Sequence, residues 1–135
     1  ADLALGESTM VEILPPFASV VIDRMQSSGH YSYIWKLPGQ LGKQVLDYTD
    51  ARSLPEASDC EFLDGFHSGE VLNAEMLLDA AKRRPELRAV LNVEQLQAWS
   101  TAHRGFASPT TISLYGNGAK EVDFLRLGCS KVAPK

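Results

Sequence analysis

Asp64-Gly65-Phe66-His67 is the stretch of this chain whose residue types and spacing could do chemistry. A carboxylate and an imidazole three positions apart on a turn can point the same way. Asp64 would then hold one ring nitrogen of His67 and leave the other facing a substrate. These are two members of a Ser-His-Asp arrangement, in which the imidazole takes the proton of a serine hydroxyl while the carboxylate fixes its tautomer and steadies the imidazolium. No serine in a recognisable nucleophile setting accompanies them. Ser68 follows the histidine directly but carries no turn signature, so a self-contained hydrolase built on it is the weakest reading. A turn aspartate capping backbone amides, beside a histidine packed at a helix start, explains the same residues without catalysis.

Other candidates are weaker. Tyr31, Tyr33 and Trp35, with His30, could line a carbohydrate or acyl pocket, since aromatic faces suit both. Tyr33 and Trp35 are the residues to consider for substrate contact. Their alternation also suits a half-buried extended segment packed on the core. His103 falls near an expected helix C-terminus, where a cation is favoured. Asp47 and Asp50 stand at the end of a strand, where α/β folds tend to place ligands, and surface capping accounts for them more simply. Three histidines without a close pair give no metal site, and neither a metal nor an organic cofactor is expected.

The elements that must position Asp64 and His67 follow from periodicity and breakers. Residues 9–14 read as a short buried strand stopped by Pro15-Pro16, because proline lacks the amide a ladder needs. Ser19 to Gln26 fits a helix ended by Ser27-Ser28-Gly29. His30 to Gly42 fits helical turns on either side of Pro38-Gly39, and residues 44–48 a second strand. Ser53-Leu54-Pro55-Glu56 has capping-box spacing and predicts one helical turn. Glu70 to Arg84 is the clearest helix, with Val71, Ala74, Leu78 and Ala81 on one face, Met76 and Leu77 widening it, and Pro85 ending it. Residues 86–91 suggest a further turn. Asn92 starts a helix running to about His103, closed by Gly105. Thr110 to Tyr115, Gly116-Asn117-Gly118 and Val122 to Leu127 read as a hairpin. Strands alternating with helices favour parallel pairing in a single α/β domain over residues 1–135.

Composition narrows the class. The chain has 135 residues, 44% hydrophobic and 22% charged, enough for one core-forming domain. A net charge of −4 without a basic patch argues against nucleic acid as a partner. Lys82, Arg83 and Arg84 are the densest basic group and suit a helix C-terminus. Cys60 and Cys129 show no metal or CxxC spacing, and a bridge and two free thiols are both open. No stretch reaches membrane-spanning length, and no signal peptide is seen. The start at Ala1-Asp2 without methionine suggests processing or excision from a longer protein.

A strand, Pro15-Pro16-Phe17, a helix, an aromatic segment, a second strand ending near Asp50, then Asp64-Gly65-Phe66-His67 and a long helix: this order over residues 9–84 resembles the C-terminal half of an SGNH (GDSL-like) hydrolase or acyltransferase. The resemblance implies a partial flavodoxin-like, three-layer fold with parallel strands, residues 85–135 forming a helix-plus-hairpin extension. It implies His67 as general base, Asp64 as its orienting acid, Phe66 pointing into the core beneath the turn, and Ser68-Gly69-Glu70 beginning the helix. It further implies an acyl ester or glycan substrate and an extracytoplasmic setting. The family's Gly-Asp-Ser nucleophile block and its oxyanion glycine and Gly-x-Asn blocks have no counterpart here. The N-terminal half of the same protein is therefore the implied partner, and the isolated chain is expected to be inactive. The alternative is a non-catalytic carbohydrate- or protein-binding or assembly domain that uses the aromatic segment and the edge of the C-terminal hairpin.

Overall fold

Pro15 and Pro16 break the first extended run where the chain must turn. The computed structural model describes residues 10–42, 44–114 and 120–132. Strand β1 (Ile13–Leu14) pairs in parallel with β2 (Leu46–Asp47), with Ile13 opposite Leu46 and Leu14 opposite Asp47. The pairing continues as single contacts beyond the strands. Leu46 N donates to Glu12 O at 2.9 Å, Tyr48 N to Leu14 O at 3.1 Å and Phe17 N to Thr49 O at 3.0 Å. The strands are shorter than residues 9–14 and 44–48 suggested, but they are parallel and joined through helix, so the α/β class holds.

Helix α1 (Ser19–Ser28) buries Ile22 and Met25 and ends on Gly29 at φ 67°, a left-handed residue that glycine adopts without steric cost. Its first amides, Ser19 N and Val20 N, donate to the Asp59 carboxylate at 2.7 and 3.1 Å. The aromatic segment is helical: a 3-10 turn at Ile34–Lys36 runs into α2 (Leu37–Leu41). Pro38 in the first turn of α2 favours that conformation. The half-buried extended reading of Tyr31, Tyr33 and Trp35 is thereby corrected. In a helical path residues two apart diverge, and Tyr33 is 65% exposed.

Two capped 3-10 turns follow β2. Asp50 caps Ala51–Ser53 by accepting from Arg52 N, and Ser58 caps Asp59–Glu61 in a capping box with Glu61. The box therefore uses Ser58-x-x-Glu61 and not Ser53-x-x-Glu56. Helix α3 (Glu70–Arg83) buries Val71, Leu72, Ala74, Met76, Leu78, Ala80 and Ala81, with Leu77 on the rim and Lys82 and Arg83 in its last turn. After a 3-10 turn at Pro85–Ala89, α4 (Val93–Ala102) starts on Asn92, whose side chain accepts from Gln95 N, and packs on α3.

The expected C-terminal hairpin is replaced over its described residues. Its first arm is a short helix, α5 (Pro109–Ser113). Pro109 sets the first-turn geometry, and the Glu70 carboxylate accepts from Thr110 N at 2.9 Å, overriding the β-branched composition. The second arm forms a closed loop. Asp123 accepts from Leu127 N, Gly128 N and Cys129 N, side-chain bonds that compete with a strand ladder. A single bridge between Lys120 and Val132 closes the ends of this loop. The Gly116-Asn117-Gly118 turn and Tyr115 lie outside the described residues.

The core gathers Ala18, Leu46, Tyr48, Ala51, Leu54, Phe62, Leu72, Met76 and Ala80. Tyr48 is buried with its hydroxyl donating to Asp79 at 2.8 Å, and Arg83 lies 5.2 Å above its ring. Burial first, and the Asp79 carboxylate second, push the Tyr48 phenol up from its ordinary value. Cys60 and Cys129 form a disulfide, tying the C-terminal loop to the second 3-10 turn. Among the described residues no helix is long and apolar enough to cross a membrane.

Candidate functional site

The backbone folds back on itself between the 3-10 turn at Asp59–Glu61 and α3. Phe62 and Ser68 form an antiparallel bridge, Leu63 N donates to His67 O at 2.9 Å and Gly69 N to Glu61 O at 2.8 Å. This closes a small loop over residues 63–67, and its position in space is fixed by Ala18 N donating to Gly65 O at 2.9 Å. Ala18 directly follows the Phe17–Asp50 bridge. The loop therefore sits at the carboxyl ends of the two parallel strands, the rim at which α/β sheets present their ligands. Gly65 has φ 91°, which a residue with a side chain adopts only under strain.

Within this loop Asp64 makes a backbone cap and a contact with the imidazole at once. One oxygen, Oδ1, accepts from Phe66 N at 3.0 Å and His67 N at 2.9 Å, an Asx-type cap. The other, Oδ2, is 2.7 Å from His67 Nδ1. The hydrogen bond from the imidazole first, and the two backbone amides next, hold the Asp64 carboxyl below the usual carboxylate range. With Asp64 ionised, Nδ1 carries the proton it shares with Oδ2, and in the neutral imidazole Nε2 is then the acceptor. The His67 side chain is 74% exposed and that of Asp64 34%. Nε2 has no hydrogen-bond partner among the described residues. Such an exposed pair is worth only about 0–1 kcal/mol, less than the roughly 1–2 kcal/mol it costs to fix each backbone residue, so the loop's order must come from its surroundings.

Phe66 departs from expectation. It is 54% exposed and packs edge-on against Phe17 at 5.8 Å, while its amide donates to Asp64. Phe66 forms one wall of a cleft of about 600 Å³ between α1 and the loop at 120–132, floored by Val20, Val21, Met25 and Leu125. His30 and Tyr31 line this cleft; Tyr33 and Trp35 do not. Ser68 Oγ donates to Asn73 Oδ1 at 2.7 Å, so the hydroxyl adjacent to the histidine is committed to the start of α3 and not to Nε2. His103 caps the end of α4, with Nδ1 2.7 Å from Trp99 O. Asp47 and Asp50 accept from Thr49 N and Arg52 N as local caps, and Asp50 also pairs with Arg52.

A buried carboxylate pair was not anticipated. Glu61 accepts from Ser58 N at 3.3 Å and Gly105 N at 3.0 Å. Glu75, on the buried side of α3, leaves Oε2 without a partner. Burial first, and the charge of Glu61 second, push the Glu75 carboxyl up to about 7. Its spacing from Val71 and Leu78 marks it as a member of the apolar stripe, a signal present in the sequence. Compared with known proteins, the chain matches no family model, no curated protein and no solved structure.

Proposed function

We propose that this chain is the dyad-bearing C-terminal portion of an SGNH-type (GDSL-like) serine esterase or O-acyltransferase, on a partial flavodoxin-like three-layer fold. The single observation that carries the reading is the 2.7 Å contact of His67 Nδ1 with Asp64 Oδ2, with Nε2 open at the carboxyl rim of parallel strands. In acyl transfer, Nε2 accepts the proton of a serine hydroxyl as its oxygen bonds to the acyl carbonyl. The same proton passes to the departing alkoxide, leaving a serine ester. Water or a sugar hydroxyl then gives its proton to Nε2, attacks the ester and releases the serine. Asp64 stays ionised throughout and stabilises the imidazolium. The serine and the oxyanion donors come from the N-terminal half of the protein. The Cys60–Cys129 bridge supports an extracytoplasmic setting, since disulfides persist in oxidising compartments. Acyl groups of cell-surface polysaccharide are the substrate class in view.

The test is esterase turnover of p-nitrophenyl acetate by the intact protein and by this chain alone. The intact protein turns over and loses activity in His67→Ala, and the isolated chain is inert. Turnover by the isolated chain that His67→Ala abolishes would place the serine within these residues and overturn the split. A second reading, a glycan- or protein-binding module, is favoured by the exposed Tyr31 and Phe66 on one cleft. Glycan binding that survives Asp64→Ala and disappears in Tyr31→Ala would select it.

A further inference from the structure

The dyad loop is held from three directions at Gly65. A Cβ there would lie 2.8 Å from Val21 Cγ2 on α1 and 3.2 Å from Leu125 Cδ2 on the C-terminal loop. On the third side Ala18 N binds Gly65 O. Gly65 adjoins Asp64 directly and lies two residues from His67, so whatever fixes its backbone fixes the geometry of the pair.

The loop that delivers Leu125 is a built object. Its ends are joined by the Lys120–Val132 bridge and by Glu121 N donating to Lys131 O at 3.0 Å. Its interior is caged by the three amides on Asp123, which let the chain pass through Arg126 at φ 55° and Gly128 at φ 79°. Its base is anchored by Glu121, which accepts from Ala107 N and Ser108 N and pairs with the buried Lys131 at 3.4 Å. Its far side is stitched by Cys129 to Cys60, in the 3-10 turn that leads straight into the dyad loop. These contacts fit a compact loop whose ends are close and whose side chains pack on a neighbour.

We propose that residues 120–132 form a clamp that positions the dyad. Leu125 presses Gly65 against α1, the Cys60–Cys129 bridge sets the reach of that contact, and together they keep Asp64 beneath the His67 imidazole. Leu125 is thus a positioning residue, acting through Gly65. The clamp gains its functional meaning from reading Asp64–His67 as the working pair, but its test needs no substrate.

The experiment is carbon-detected NMR titration of the Asp64 carboxyl in the full chain, with hydrogen exchange of the Phe66 and His67 amides that Asp64 accepts. In the unaltered chain Asp64 titrates below the usual aspartate range. In Leu125→Ala the midpoint moves up toward the ordinary value and exchange of the two amides accelerates about ten-fold or more, while the Leu46 amide of the β ladder keeps its protection. Leu125→Met preserves the unaltered titration. Reduction with dithiothreitol, or Cys60→Ser with Cys129→Ser, reproduces the Leu125→Ala shift and serves as the readout if that variant fails to fold. An Asp64 titration unchanged in Leu125→Ala overturns the clamp. A shift in Leu125→Ala with none on reduction removes the bridge from it. An unchanged titration beside His67-dependent turnover by the intact protein sinks the clamp alone. A shifted titration with no turnover sinks the acyl-transfer reading alone.

Discussion

Two pairs of titratable groups lie a few residues apart in sequence and behave in opposite ways. At the surface, Asp64 accepts from three donors, which hold its carboxyl below the usual carboxylate range. Inside, Glu75 is buried within the field of Glu61, keeps one oxygen unpartnered and holds its proton up to about 7. The same functional group is kept charged in one place and neutral in the other. Donors decide the first case and desolvation the second. A stable charge at the surface suits the orienting part proposed for Asp64. Among the described residues no donor answers Glu75 Oε2.

The sharpest way to break this contrast is to remove the imidazole. In the intact protein, His67→Ala is expected to lower kcat by about 10⁶-fold and Asp64→Ala by about 10⁴-fold, since members of such a unit fail together and the orienting acid is the least costly to lose. A loss below about ten-fold in both, measured by steady-state esterase assay, would leave the surface pair as a structural cap. For the interior pair, Glu75→Gln is expected to stabilise the fold by roughly 2–3 kcal/mol at pH 8, seen as a higher urea midpoint.

The pH dependence follows from the same shift. Glu75 holds its proton more tightly folded than unfolded, so the native state binds more protons between the ordinary carboxylate range and about pH 7. Stability from this group therefore falls as pH rises across that window, and Glu75→Gln should flatten the slope. Asp64 has the other sign. Its contribution is present above the ordinary aspartate range and disappears as pH falls through its lowered folded value, and its exposure keeps the contribution small. Gly65→Ala acts on stability through the backbone. Positive φ and the approach of Val21 and Leu125 should cost about 1–3 kcal/mol in chemical denaturation, with His67-dependent turnover falling alongside.

The parts legible in the sequence were those governed by local rules. Pro15-Pro16, the stop at Gly29, the stripe of α3, the Asn92 cap and Gly105 each announce a boundary, and each lies close to where it was read. The Asp-x-x-His loop was legible because a three-residue spacing on a glycine turn brings both side chains to one side. What was missed depends on distant partners. Thr110-Thr111-Ile112 reads as a strand until Glu70, forty residues earlier, caps it as a helix. Val122 to Leu127 alternates like a strand, but Asp123 folds it back on itself. Phe66 looked like an anchor because phenylalanines usually are, and it instead meets the distant Phe17 ring at the surface. Cys60 and Cys129 carried no spacing from which their union could be deduced.

The carboxylate of Asp59 has a consequence for which ligands the rim beside His67 can receive. By occupying Ser19 N and Val20 N it neutralises the positive pole of α1, the helix end nearest the rim that carries His67. An anion approaching from that side would meet a carboxylate in place of open donors, so α1 offers this rim no anion-binding end.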